Sequence, residues 1–285
     1  MNMDVKVTLC KSIGQLFPLP VHPFNLQNQQ VKSYAQWQYE KGEETIHHYL
    51  ENISKEDMLK DKMILDIGCG AGGKSLYYAS NKAKKVYGLD IVKGYKHEAY
   101  RLAVEKKLVD RFEFVLGDAA QLVFKDKFFD VIMMNDAMEH VQKPLKVLQE
   151  CYRVLKPGGK LYINFPPYYH PYGAHLSDVI SFPWIHVIFD DDTLIKVYKY
   201  FVQNFSDGEE RIALRISKDH RGKEYFSYIN KMTVNRFVTL LAQTGFQHVY
   251  HKEVPLRKFL KPLIYVPYLR EGFIKTVVCI LEKAV

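Results

Sequence analysis

From Asp61 to Phe165 the chain switches regularly between short β-branched or apolar runs and longer amphipathic ones. Residues 62–68 (KMILDIG), 84–90 (KKVYGLD), 112–118 (FEFVLGD), 128–136 (FFDVIMMND) and 160–165 (KLYINF) read as five strands. Between them GGKSLYYASNK, 96–108 and 144–155 carry apolar residues at helical spacing. Pro144 falls in the first turn of the last of these, where a missing amide hydrogen costs nothing. Few folds accommodate such a rhythm. Strands joined by helices run parallel with right-handed crossovers, so the expected class is an α/β, Rossmann-like sheet. The rhythm breaks over 166–232 and resumes with a helix at 233–246 and strands near 248–254 and 273–283.

This division predicts three parts: a helical amino-terminal cap (1–60), a core (61–165 and 233–285), and an inserted acceptor-binding lid (166–232). Residues 22–60 read as helical. The run 190–192 (DDD) reads as the cap of a helix at 192–205, because carboxylates are favoured at a helix amino end. Residues 207–225 are polar enough to read as mobile surface.

At 285 residues and 47% apolar composition, the chain has ample material for a core. Its net charge of +8 comes from lysines dispersed among acids, which describes a solvated surface. No dense basic and aromatic stripe is present, so nucleic acid is not an expected partner. Cys10, Cys69, Cys151 and Cys279 form no Cys-x-x-Cys pair, which argues against a zinc knuckle or disulfide framework and for a cytoplasmic setting. The first twenty residues resemble neither a secretory signal nor a spanning segment, so no membrane insertion is expected. Homo-oligomerisation is left open.

Ligands on parallel sheets bind at the carboxyl ends of the strands. The first of these ends carries LDIGCGAGGKS (65–75), which fits both a dinucleotide loop and the looser glycine loop of S-adenosylmethionine enzymes. Asp66 favours the second. Its carboxylate would repel a pyrophosphate but suits a ligand bearing an ammonium and a sulfonium. Asp90 ends the second strand, where a carboxylate can accept from both ribose hydroxyls. Asp118 closes the third strand, and beside small Ala119 it could take a hydrogen bond from an adenine amino group. Cys69 reads as a small buried filler.

In order, LDIGCGAGG, VYGLD, GDA, FDVI, EHV and RVLKPGG resemble the class I S-adenosylmethionine-dependent methyltransferases, and within them the small-molecule branch of ubiquinone and menaquinone methyltransferases. The likeness covers residues 62–166. It implies seven mostly parallel strands with an antiparallel last strand, and S-adenosyl-L-methionine as cofactor with S-adenosyl-L-homocysteine as product. By this likeness Asp66, Gly68, Gly70 and Gly72 form the cofactor loop, Asp90 and Ile91 hold the ribose, Asp118 and Ala119 meet the adenine, and Asn135 faces the methionine part. His140, in EHV, becomes a candidate for the active site. In this family a leading helix commonly folds over the cofactor, so Tyr34, Trp37 or Tyr39 could cover it.

Methyl transfer from a sulfonium needs alignment, exclusion of water and, for a protonated acceptor, a base. The inserted segment carries Tyr168, Tyr169, Tyr172, Trp184 and His186 as candidate walls of an acceptor pocket, and His170 and His175 as candidate bases. Its opening, INFPPYYHPYGAHL (163–176), only superficially resembles the Asn-Pro-Pro-Tyr of amino-group methyltransferases. That motif follows a fourth strand, where this chain has NDAM. No histidine spacing suits a metal, and none is expected. The expected partner is a small apolar or aromatic acceptor, methylated at oxygen with a histidine removing the proton. Carbon or nitrogen methylation, an RNA or protein substrate, and a non-catalytic cofactor-binding partner are the alternatives.

Overall fold

Among the described residues nine strands form: β1 (Met63–Ile67), β2 (Lys85–Asp90), β3 (Phe112–Leu116), β4 (Phe129–Asn135), β5 (Leu155–Phe165), β6 (Ile216–Lys218), β7 (Glu224–Phe226), β8 (Phe246–Pro255) and β9 (Ile274–Lys283). The computed structural model describes residues 3–19 and 33–284. They group into two compact units. The larger is built from the described residues of Gln29–Phe165, Val234–Val254 and Thr276–Val285, the smaller from those of Met1–Asn28, Pro166–Thr233 and Pro255–Lys275. The amino-terminal 60 residues are thus shared between the units.

The larger unit holds a seven-stranded sheet in the order β3-β2-β1-β4-β5-β9-β8. β1 to β5 run parallel, and β9 pairs antiparallel with β5. The mostly parallel, seven-stranded expectation and its reversed closing strand are therefore correct. β1 is buried along Ile64–Ile67, the pattern of a strand covered on both faces. Helices Gly73–Ser80, Tyr95–Glu105 and Pro144–Val154 follow β1, β2 and β4. Ser33 caps the leading helix Tyr34–Glu40 by accepting from the Gln36 amide. That short helix, a second at Gly42–Ile46 and a 3-10 turn at Tyr49–Glu51 occupy the stretch expected to be helical. Residues 22–32 of that expectation lie outside the described residues.

Two boundaries differ clearly: the helix expected at 233–246 ends at Leu241, and the fifth strand begins early. β5 starts at Leu155, immediately after the helix, so Lys156-Pro-Gly-Gly belongs to the strand and is not a separate stop. The pairing jumps from Phe129↔Leu155 to Val131↔Lys160, and Gly158 takes φ +73°, so the extra residues bulge out of register.

In the smaller unit, helix Met3–Gly14 packs on helix Asp191–Val202. The Ser181 amide donates to the Gly14 carbonyl at 2.7 Å, and Lys6 pairs with Asp190 at 2.7 Å. Asp190 caps the second helix by accepting from the Thr193 amide at 2.9 Å, as expected of the acidic run. Residues 207–225 contradict the expectation of mobile surface: they form helix Gly208–Arg215 and the antiparallel pair β6–β7. The reason is a buried ionic network that composition conceals. Arg211 and Arg215, 2% and 1% exposed, both meet the fully buried Asp178, at 3.1 and 3.2 Å. The Tyr198 hydroxyl completes the network, donating to Asp178 at 3.0 Å and accepting from Arg215 at 2.8 Å. No described helix is long and apolar enough to cross a membrane.

Candidate active site

The chain runs outward from β1 to β3, then returns past β1 to β4, so the carboxyl ends of these strands flank the switch point where α/β sheets bind ligands. Asp66, near the end of β1, is 2% exposed, and its Oδ2 accepts from Ser75 Oγ at 2.6 Å. Burial raises its pKa to about 6, partly opposed by that hydrogen bond and by nearby Lys74. After β1 the loop is tied to the end of β2: the Gly68 and Cys69 amides donate to the Leu89 carbonyl at 2.9 and 3.1 Å. Asp90 then binds the loop directly. Its Oδ2 accepts from the Gly70 amide at 2.8 Å and its Oδ1 from the Val92 amide at 2.9 Å. Each oxygen keeps a second lone pair. Ile91, beside it, is 72% exposed.

Asp118 is exposed. Its Oδ1 accepts from the Ala120 amide at 2.8 Å, which shapes the turn, and Ala119 is buried next to it. Asn135, by contrast, is turned into the sheet. Its Oδ1 accepts from the Tyr49 hydroxyl at 2.9 Å and from Asn164 Nδ2 at 2.7 Å, and its Nδ2 donates to the Tyr78 hydroxyl at 3.1 Å. These bonds stitch the ends of β4 and β5 together at the position expected to face the cofactor.

The loop glycines have a local cause. Gly68, Gly70 and Gly72 all adopt positive φ. A Cβ at Gly68 would stand 2.6 Å from the Ala137 Cβ, one at Gly70 2.8 Å from Gln38 Nε2, and one at Gly72 2.9 Å from the Ala99 Cβ. Neighbouring protein therefore demands glycine at these places before any ligand does. Gly72 serves helix packing in particular.

The leading helix does lie against this loop. Gln38 Nε2 donates to the Cys69 carbonyl at 3.2 Å, and the Gly73 amide donates to Gln38 Oε1 at 3.3 Å. The Ala35 amide donates to Glu98 at 2.9 Å, and the Tyr34 ring lies 5.8 Å from that of Tyr95 and 6.1 Å from that of Trp37. Tyr34 reaches Gly70, whereas Tyr39 packs edge-on against Tyr77. Sequence reasoning missed Gln38, although a polar residue on the Ala35–Gln38 face of a short helix was the available signal. Cys69 is buried, as expected, and burial holds its thiol well above the ordinary value. Glu139, buried beside His140 at 3.8 Å, is likewise pushed up by burial.

The remaining candidates lie in the smaller unit. The His186 Nε2 hydrogen is donated to the Tyr168 carbonyl at 2.8 Å, and its ring sits 4.9 Å from that of Tyr168. His186 is 8% exposed, and its buried Nδ1 has no hydrogen-bond partner among the described residues. Tyr169 packs 5.4 Å from Tyr168, and Trp184, at φ +56°, packs 5.8 Å from Phe273. His170 is differently placed. Its Nδ1 accepts from the Tyr172 amide at 3.1 Å, so the proton of the neutral ring sits on Nε2 and no basic lone pair is spare. Burial also drives its pKa down to about 4. This arrangement argues against His170 as the base. His175 adopts φ +53°, and its carbonyl accepts from Arg215 Nε at 3.1 Å. The Tyr172 hydroxyl donates to the Ser181 carbonyl at 3.3 Å.

Residues 65–163 match the methyltransferase domain family. A probable chloroplastic tocopherol O-methyltransferase of Oryza sativa subsp. japonica is 33% identical over 36% of this chain and 29% of its own length. A demethylmenaquinone methyltransferase of Symbiobacterium thermophilum is 33% identical over 52% of this chain and 56% of its own. The chain thus spans about half or less of these curated relatives. Among solved structures, an S-adenosylmethionine-dependent methyltransferase from Methanosarcina mazei aligns with TM-score 0.50 and 25% identity over 81% of this chain and 96% of that one. The PH0226 protein of Pyrococcus horikoshii OT3 aligns with TM-score 0.53 and 19% identity over 90% and 98%. The sheet order, the glycine loop and its carboxylate clasp are those of a class I S-adenosylmethionine-dependent methyltransferase domain, and residues 65–163 match such a domain.

Proposed function

We propose that the protein transfers a methyl group to a small apolar or aromatic metabolite, at oxygen. The observation that carries the reading is the Gly70–Asp90 clasp at the switch point of the sheet. When bound, S-adenosylmethionine supplies an electrophilic methyl on a sulfonium. The donor set fits it. Asp90 retains lone pairs for a ribose diol, exposed Ile91 offers an apolar face to the base, and Asp118 has a carboxylate oxygen beyond its turn for an exocyclic amine. Buried Asp66 places a carboxylate near the end of β1, suited to an ammonium.

Acceptor recognition belongs to the smaller unit, whose Tyr168, Tyr169, Trp184 and His186 supply aromatic surface. For the proton, the best-suited residue is His186. Donating Nε2–H to Tyr168 leaves Nδ1, itself buried, as the basic nitrogen, and burial lowers the pKa, which favours the neutral ring. The relatives include enzymes named for O-, N- and C-methylation, so oxygen rests on this imidazole.

The test is S-adenosylhomocysteine formation across a panel of hydroxylated aromatics, sterols and amines. Turnover confined to hydroxyl acceptors, and lost in His186→Gln while cofactor affinity persists, supports the reading. Turnover confined to amines, or a full rate in His186→Gln, defeats the oxygen and imidazole parts of it.

A further inference from the structure

Between β8 and β9 the chain makes an excursion closed at its base by the Leu256 amide, which donates to the Phe273 carbonyl at 2.9 Å. Two 3-10 segments, Lys258–Tyr265 and Arg270–Phe273, give it a defined shape. Successive short bonds brace it: Leu260 to Arg257 at 3.0 Å, Val266 to Leu263 at 3.2 Å and Leu269 to Val266 at 2.9 Å. Ile264 alone turns fully inward. The outward side is unusual for a water-facing surface. Phe259 is 78% exposed, Tyr265 72% and Tyr268 100%, with Val266 and Leu269 also exposed.

Isolated exposed apolar residues need no explanation, but five large ones within residues 259–269 do. The polar residues among them are cationic. Arg257, Lys258 and Lys261 are exposed and form no ion pair among the described residues, and the first acid after them is Glu271. Aromatic rings interleaved with lysine and arginine match the boundary between water and an anionic bilayer. There the rings enter the headgroup region while the cations meet phosphate. A buried protein interface favours depletion of lysine, which makes a second copy or a partner protein the poorer occupant.

We propose that the 257–269 loop is a peripheral docking surface for anionic lipid, seating Phe259, Tyr265 and Tyr268 in the headgroup layer with Arg257, Lys258 and Lys261 against phosphates. The inference is independent of the acceptor's identity. It requires no spanning helix, and the side chains concerned are not buried in the fold, so they can be changed without unfolding it.

Full-length protein is sedimented with vesicles of phosphatidylcholine alone or mixed with phosphatidylglycerol. The expected result is binding to the mixed vesicles, weakened by salt and at least tenfold weaker without phosphatidylglycerol. The triple variant Phe259→Ser/Tyr265→Ser/Tyr268→Ser should lose binding while its thermal melt is unchanged. Lys258→Glu/Lys261→Glu should weaken binding by more than tenfold, at about fivefold for each cation removed. Equal sedimentation of parent and triple variant overturns the proposal. So does failure of the parent to bind mixed vesicles. Concentration-dependent dimerisation abolished by Tyr268→Ser, with no vesicle binding, assigns the surface to self-association instead.

Discussion

The Gly70 amide donates to the Asp90 carboxylate at 2.8 Å, joining the loop after β1 to the end of β2. A single acid therefore shapes the cofactor loop and presents lone pairs to whatever the loop holds. Asp90→Asn should weaken S-adenosylhomocysteine binding by about 10- to 100-fold, the range expected for hydrogen bonds to a charged group. Titration calorimetry measures it. An unchanged affinity would show that Asp90 only shapes the loop.

Gly72 and Gly94 make a matched pair for substitution. At Gly72, φ +78° and a Cβ position 2.9 Å from Ala99 predict that Gly72→Ala destabilises by about 1–3 kcal/mol. Gly94 has φ −60° and ψ −29°, with nothing within 4 Å of its Cβ position. Gly94→Ala should stabilise by about 0.4–1 kcal/mol through the unfolded chain. Urea midpoints of the two variants should move in opposite directions.

Asp66 and His170 make stability depend on pH with opposite signs. Asp66 holds its proton up to about 6, against an ordinary value of 3.8. The unfolded chain releases that proton earlier, so Asp66 costs stability increasingly as pH rises from 3.8 to about 6. Asp66→Asn should recover up to about 3 kcal/mol above that window. His170, lowered from 6.5 to about 4, stays neutral in the fold while the unfolded chain takes up a proton, so stability is lost as pH falls through that range. His170→Asn should flatten that acid limb, again by about 3 kcal/mol at most. Thermal melts at pH 4, 5, 6 and 7 read both effects.

Asp178 is fully buried between Arg211 and Arg215. Asp178→Ala would strand two buried cations and should cost about 3–5 kcal/mol. The loss should appear as protease sensitivity confined to the smaller unit. Cleavage unchanged from the parent would show that the arginines find other partners.

The sheet was legible because strand and helix are written locally: apolar runs separated by amphipathic ones, with acids and glycines at the strand ends. Asp66, Asp90 and Asp118 stand out for the same reason, since a carboxylate ending an apolar run marks the ligand edge of a parallel sheet. Tertiary structure decided what local pattern cannot encode. His170 and His186 are equivalent as letters, but Tyr172 occupies the basic nitrogen of one and Tyr168 takes the proton of the other. The hydrogen bonds of Asn135 to Tyr49, Asn164 and Tyr78 come from distant parts of the chain and could not be read from its own surroundings in sequence. Arg211 and Arg215 read as surface because charge normally seeks water, and only the fold brings Asp178 to neutralise them. Proximity between residues remote in sequence is a property of packing, and it decided each of these contacts.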